Sequence, residues 1–341
     1  MLDDAYLSPG EWVKQFENRW AAACGVRHAV AASSGTAAIH IAMLAAGIGP
    51  GDEVIVPAMT CPDTLNAAKF TGATPVIVDV EPERYGMDPE RIAGAVTPRT
   101  RAVVPVHLYG CPVLPEVFDV VLRLGLVVIE DAAEAHGATQ DGKTIGSLGD
   151  VGCFSFRGDK MIGAGTGGMI TTNDARVAER ADYLIGLASP GGFDRYSSTE
   201  LGYSYEMSNV HAAIGVAQID VLERTIEAKR AVAAAYDAAL PGELVEKPAL
   251  VKGHVWWRYT PRLRRGNTRA VHARLMAQGI ETLPPFTPMY RLPMYRHADP
   301  QKFPVAEELY GRLLSLPAGP RLTVKDVEVI VDAFVAAVKA G

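Results

Sequence analysis

From residue 28 to residue 155 the chain alternates short apolar runs with amphipathic ones, and several of the apolar runs end on small polar or charged residues. Strands are predicted at 28–32, 51–58, 74–80, 101–110 and 126–131, with a further β-like run ending at Ser155. Helices are predicted at 9–25, from Ala37 onward, at 62–71, around 92–96 and at 115–124. A strand followed by a helix and then another strand can close only as a crossover, so the pattern predicts an α/β domain with a largely parallel sheet. Ligands in such sheets gather at the carboxyl ends of the strands. Ser34–Thr36, His107, Asp131 and Ser155 all fall at predicted strand ends, so the topology should bring them together.

Three of these features carry chemistry. The turn Ser33-Ser34-Gly35-Thr36 leads from a strand into a helix, which leaves free N–H groups at a helix N-terminus. That arrangement suits a phosphate, and it suits a simple Ser/Thr cap equally well. Lys160 follows Ser155 by five residues and opens a loop containing Gly163, Gly165, Gly167 and Gly168. A lysine beside a loop that permits close backbone approach can act as an amine nucleophile toward a carbonyl. Asp131 ends a wholly apolar strand, where a carboxylate is costly unless paired. A protonated pyridine nitrogen is such a partner, and a helix cap is the plainer alternative. Taken together, the lysine, the acid and the anion turn suit pyridoxal 5'-phosphate, whose ring nitrogen needs an acidic partner.

Composition narrows the classes. The net charge of −6 gives no basic field, which argues against nucleic acid or an anionic membrane as a partner. No run of about 18 apolar residues occurs, and the acidic start of the chain lacks a signal-peptide layout, so a cytoplasmic protein is expected. Cys24, Cys61, Cys111 and Cys153 lie far apart, and the eight histidines show no metal-ligand spacing, so no metal site is expected.

A set of motifs in fixed order resembles the DegT/DnrJ/EryC1/StrS aminotransferases. They are Ser-Ser-Gly-Thr-Ala-Ala (33–38), Gly-Asp-Glu-Val-Ile-Val-Pro (51–57), Pro-Val-His-Leu-Tyr-Gly (105–110), Glu-Asp-Ala-Ala-Glu-Ala-His-Gly-Ala (130–138), the run 146–156, Lys160–Gly168 and Ala-Ala-Ile-Gly-Val-Ala-Gln (212–218). The resemblance spans roughly 6–335. It implies fold-type I, a mostly parallel seven-stranded sheet flanked by helices, with a large domain at 1–235 and a smaller α+β domain at 236–341. It implies pyridoxal phosphate as cofactor and transfer of an amino group from L-glutamate to a keto sugar. The keto sugar is expected to be nucleotide-linked, as in perosamine-type members; a keto-cyclitol is the alternative. Carried over by position, Lys160 resembles the Schiff-base lysine and Asp131 the ring-nitrogen partner. Ser34, Gly35, Thr36, Ala37 and Ser155 match the phosphate cradle, and Cys61 and Glu134 fall beside the cofactor. His107 and Tyr290 are candidate substrate residues. A homodimer with shared active sites is implied, with Ser204 reaching the other subunit's phosphate.

Several positions depart from the family pattern. Ser204 stands where Gly-Tyr-Asn-Tyr supplies asparagine, and Cys61 where an aromatic ring is frequent. Glu134 replaces a frequent glutamine, although some perosamine-type members also carry glutamate. Glu206 stands where arginine is common, Tyr290 near a usual histidine, and the chain starts later than its relatives. Toward the C-terminus, a continuous helical run is predicted at 208–240, ending at Pro241-Gly242, and a strand at 253–263 that places Trp256 and Trp257 in the core and sheet face. Helices are predicted at 268–278 and 323–340. Two other classes compete. A nicotinamide dehydrogenase is disfavoured because the glycines lack the Gly-x-Gly-x-x-Gly spacing between strand and helix. A non-catalytic regulatory protein on the same fold is disfavoured by the intact Lys160 and Asp131.

Overall fold

The computed structural model describes residues 7–295 and 299–340. The acidic first six residues lie outside this range. Seven strands form the main sheet: β1 (His28–Ala32), β2 (Glu53–Pro57), β3 (Thr74–Val78), β4 (Thr100–Val103), β5 (Val127–Asp131), β6 (Val151–Ser155) and β7 (Gly168–Thr172). Their order is β1-β7-β6-β5-β4-β2-β3. β2, β3, β4, β5 and β6 pair parallel, whereas β7 runs against both its neighbours. The carboxyl ends of β1 and β6 therefore meet the start of β7, and Gly168 lies opposite both Ala32 and Ser155.

The strands read as continuous apolar runs because both faces are covered. Side chains alternate between the faces. Val54, Val56, Ala102, Val104, Ile129 and Ile170 share one core with helix α2 (Gly35–Ala45) and helix α3 (Pro62–Phe70). Ile55, Val103 and Val128 enter a second core with Val117 and Val121 of the helix Pro115–Leu124. Each aliphatic side chain buried in this way stabilises the fold by about 1.5–3 kcal/mol. A third core, running from Val232 to Val338, belongs to the C-terminal part and already includes Tyr236. The helix Pro304–Arg312 packs back beside the end of β3, where Asp79 accepts the N–H groups of Val305 and Ala306 at 3.0 Å each.

Three predicted elements differ. The strand predicted at 101–110 stops at Val103, and Leu108–Gly110 forms a single 3-10 turn. The helical run at 208–240 is two helices, Asn209–Ile219 and Leu222–Ala239. The first packs on α1 (Glu11–Cys24), where a Cβ at Gly215 would lie 2.6 Å from the Phe16 ring, and Arg19 holds the break through Val216 O and Asp220. The second turns toward the C-terminal core. The segment 253–263 is not a strand. Val255 and Arg258 donate their N–H groups to Gly110 and Tyr109, and Trp256 takes a φ of +56°, which breaks an extended path. Arg262–Leu263 pairs with Val245–Glu246, and Tyr259 makes an isolated bridge to Leu316.

Candidate active site

A cavity of about 230 Å³ opens where β1, β2, β5 and β6 end. Ser34, Gly35, Thr36, Cys61, Asp131, Glu134, Ser155 and Lys160 line it, together with Thr60, Asp63, Arg157 and Phe286. Ala37, one residue further into α2, is buried.

The end of β1 supplies an anion cradle. Ser34 caps α2, accepting the Ala37 N–H at 3.1 Å. The first-turn N–H groups beyond it have no acceptor within the helix. Gly35 is required here, because a Cβ would stand 2.7 Å from Ser155 Cβ. The bare backbone thus brings the helix start and the Ser155 hydroxyl side by side. Asp63 is an acid that the sequence did not single out. It accepts the Thr36 hydroxyl at 2.8 Å and the Cys61 thiol at 3.0 Å. Burial, with this hydrogen bond, pushes the Cys61 thiol up to about 12, so it packs as a neutral group.

Asp131 is almost fully buried and accepts the Thr64 hydroxyl at 2.7 Å and the Ala133 N–H at 3.2 Å. Thr64 is in turn 2.9 Å from Thr60. Burial holds the Asp131 carboxyl above its ordinary value despite these donors and the nearby Lys160 charge. Among the described residues Asp131 makes no ion pair, and it faces the cavity.

Lys160 Nζ lies 3.6 Å from Glu134 Oε1 and 4.2 Å from the centre of the Trp257 ring. Trp257 is fixed by its indole N–H, which donates to Asp159 O at 2.7 Å, and by its carbonyl, which accepts from Lys229 at 3.1 Å. Glu134 also accepts the Tyr109 N–H at 2.7 Å. Tyr109 holds a φ of +58°, a left-handed backbone uncommon for a non-glycine residue, and this fixes the turn that carries that N–H. Burial raises the Glu134 carboxyl, and the charges of Lys160 and Arg258 oppose that shift.

Three predicted site residues lie elsewhere. His107 does not line the cavity. It is fully buried, its Nδ1 accepts from Val113 N at 3.3 Å, and its Nε2 donates to Glu130 at 3.1 Å. Glu130 uses its other lone pairs on the N–H groups of Gly146, Leu148 and Gly149, so the pair holds a turn together. Tyr290 is also absent from the cavity wall: its ring stacks on Phe303 at 4.2 Å and its hydroxyl donates to Glu307 at 2.7 Å. Ser204 is exposed in this chain and bridges Gly186, while the adjacent Tyr205 O accepts from Ser33 N at 2.7 Å. Trp257, Arg258, Thr64 and Asp63 were missed by sequence reasoning. The doubled tryptophan at 256–257 was the one visible signal.

The site fits pyridoxal phosphate. Among the described residues the buried Asp131 makes no ion pair, Lys160 lines the same cavity, and a side-chain-free helix start faces a hydroxyl. Comparison with known proteins agrees. The model of the DegT/DnrJ/EryC1/StrS aminotransferase family matches residues 1–335. The GDP-perosamine synthase of Caulobacter vibrioides is 43% identical, over 98% of this chain and 92% of its own. The UDP-N-acetyl-3-dehydro-alpha-D-glucosamine 3-aminotransferase of Acidithiobacillus ferrooxidans is 39% identical, over 94% of this chain and 87% of its own. Among solved structures, that of S. venezuelae DesV in complex with a ketimine intermediate superposes with a TM-score of 0.92 at 36% identity, covering 99% of this chain and 92% of DesV. On the family match and the site alike, this chain belongs to the DegT/DnrJ/EryC1/StrS aminotransferase family and is a pyridoxal phosphate-dependent aminotransferase of fold type I.

Proposed function

We propose that the chain transfers an amino group from L-glutamate to a nucleotide-linked keto sugar, in amino-sugar biosynthesis in the cytoplasm. The observation that carries the reading is Lys160 and Asp131 facing one cavity beside the Ser34–Thr36 cradle. The names of the two sugar-modifying relatives support the substrate class.

In this reading Lys160 would hold the cofactor covalently through Nζ, and the cradle with Ser155 would hold its phosphate. The cofactor, when bound, supplies a sink for the electron pair left as a proton leaves the donor's α-carbon. Asp131 would keep a proton on the ring nitrogen by its negative charge. With its amine free, Lys160 Nζ would take the proton from the donor's α-carbon and return it, as general base and then acid. The Trp257 ring lies against that amine, and Glu134 supplies a counter-charge within 3.6 Å of it. A screen of nucleotide-linked keto sugars and free keto-cyclitols with L-glutamate, read by mass spectrometry, tests the substrate class. Amination of nucleotide-linked sugars is expected. Amination of cyclitols alone would refute it.

The working unit proposed is a homodimer with shared sites. Phe193, Tyr196 and Leu201 are largely exposed on the 189–201 loop just before Ser204, as suits a segment covered by a second copy. In this reading Ser204 donates to the phosphate held by the other subunit. A hydrogen bond to a charged acceptor is worth about 1.5–3 kcal/mol, so Ser204→Ala should weaken cofactor affinity roughly ten- to a hundred-fold while the dimer persists. Cofactor titration and sedimentation check both. Unchanged affinity would remove Ser204 from the phosphate site, and a fully active monomer would remove the shared site.

A further inference from the structure

Lys229 is a buried ammonium to which the transamination reading gives no task. It sits on the helix Leu222–Ala239 and is 7% exposed. Among the described residues no carboxylate pairs with it, and burial pulls its pKa down to about 8. A charge taken out of water in this way is costly unless its donors are used. Its Nζ donates to Ala318 O at 2.8 Å and to Trp257 O at 3.1 Å. A clip to the 317–318 segment alone needs no charge: Tyr236, further along the same helix, donates its hydroxyl to Pro317 O at 2.8 Å. An ammonium carries several donors on one head, and this one spends two of them on separate stretches of chain. Ala318 packs against the C-terminal core, whereas Trp257 lies beside Lys160.

Trp257 is the residue through which this tie reaches the chemistry. Its indole N–H donates to Asp159 O at 2.7 Å, immediately before Lys160 in the chain, and its carbonyl is the one Lys229 holds. Fixed at both ends, the ring centre lies 4.2 Å from Lys160 Nζ, with the Arg258 guanidinium carbon at 4.3 Å. An aromatic face attracts an ammonium by its quadrupole and has no comparable hold on a neutral amine. The contact therefore favours the charged form of the Lys160 amine, which is the form made when that amine accepts a proton. The attraction weakens as the ring moves away, so it depends on what keeps Trp257 in place.

We propose that Lys229 is a positioning residue: by holding the Trp257 carbonyl it keeps the indole face against Lys160 Nζ. The proposal deepens the transamination reading, and its first test does not depend on that reading. In cofactor-free protein, Lys160 is labelled with acetic anhydride in competition with the other lysines, and the label is followed by peptide mass spectrometry against pH. Lys229→Met should raise Lys160 labelling roughly two- to thirtyfold at neutral pH, the span of one cation–ring contact, and the rise should fade at alkaline pH, where the amine is neutral in both proteins. Trp257→Leu should do the same, and the double variant should add nothing to Trp257→Leu alone. Lys229→Arg, which keeps several donors, should stay within about threefold of wild type. Lys229→Gln, with a shorter and neutral head, takes the place of the methionine variant if that one does not fold. Tyr236→Phe is the control: it removes the neighbouring clip to Pro317 O, leaves Trp257 held, and should not change the labelling. In the cofactor-loaded protein, Lys229→Met should lower kcat over the same range while KM for L-glutamate stays within about threefold. Unchanged labelling in Lys229→Met overturns the proposal. A rise equal at every pH also overturns it, because that reports only an opened cavity. An equal effect of Tyr236→Phe overturns it too and makes Lys229 a clip of the fold. The expected labelling in a protein that takes an amino group from no amino acid would uphold the positioning and defeat the transamination reading alone.

Discussion

Lys160→Ala is expected to abolish turnover. Loss of the proton-transfer role alone costs roughly 10²–10⁴-fold, and loss of covalent attachment adds to it. The variant should still bind the cofactor, because the cradle at Ser34–Thr36 and Ser155 and the acid at Asp131 are untouched. It also leaves Glu134 buried without its closest cation, and breaking a buried pair can cost about 3–5 kcal/mol. Glu134 keeps the Tyr109 N–H at 2.7 Å and the field of Arg258, and its carboxyl is already raised by burial, so protonation relieves much of that cost. Circular dichroism and thermal melting check the fold. Lys160→Arg keeps a cation near Glu134 but cannot form the covalent link or titrate usefully, so it separates charge from chemistry. Activity within tenfold of wild type in either variant would contradict the role.

Asp131→Asn is the second large effect. A neutral amide accepts hydrogen bonds but cannot hold the ring nitrogen protonated. The expected loss in kcat exceeds about tenfold, which corresponds to about 1.4 kcal/mol of barrier. A smaller loss would contradict the pairing. The same residue predicts a pH effect on cofactor-free protein. Burial raises the Asp131 carboxyl in the fold above its ordinary value of 3.8. Its contribution to stability is therefore fully present below that value and is lost as pH rises through the raised one. Without cofactor, Asp131→Asn should gain stability relative to wild type over that rise. With cofactor bound, the cationic ring nitrogen favours the charged carboxylate, and the relative gain should disappear. Thermal melts of both proteins against pH, with and without cofactor, measure this.

Much of the site was legible because it lies at strand ends. Ser34, Asp131 and Ser155 each follow an apolar run, and a largely parallel sheet brings such ends to one edge. His107 misled for the same reason. β4 stops at Val103, and the chain continues through a bridge at Val106 that turns His107 inward to Glu130. A strand-end histidine and a buried structural one look alike in sequence. Tyr290 was placed by resemblance alone, and packing on Phe303 takes it away. Trp257 and Arg258 were hidden by an apparent alternation at 253–263. That pattern fits a strand, yet the segment docks on the 109–110 turn because Trp256 adopts a left-handed φ there. Contacts between segments nearly 150 residues apart leave no local periodicity to read.

The central claim is that Lys160 is the residue that holds the cofactor. Borohydride reduction of the loaded protein, followed by peptide mapping, tests it directly. The account predicts one pyridoxyl group, on the peptide that contains Lys160, and none after Lys160→Ala. A label on any other lysine in the wild-type protein would contradict it.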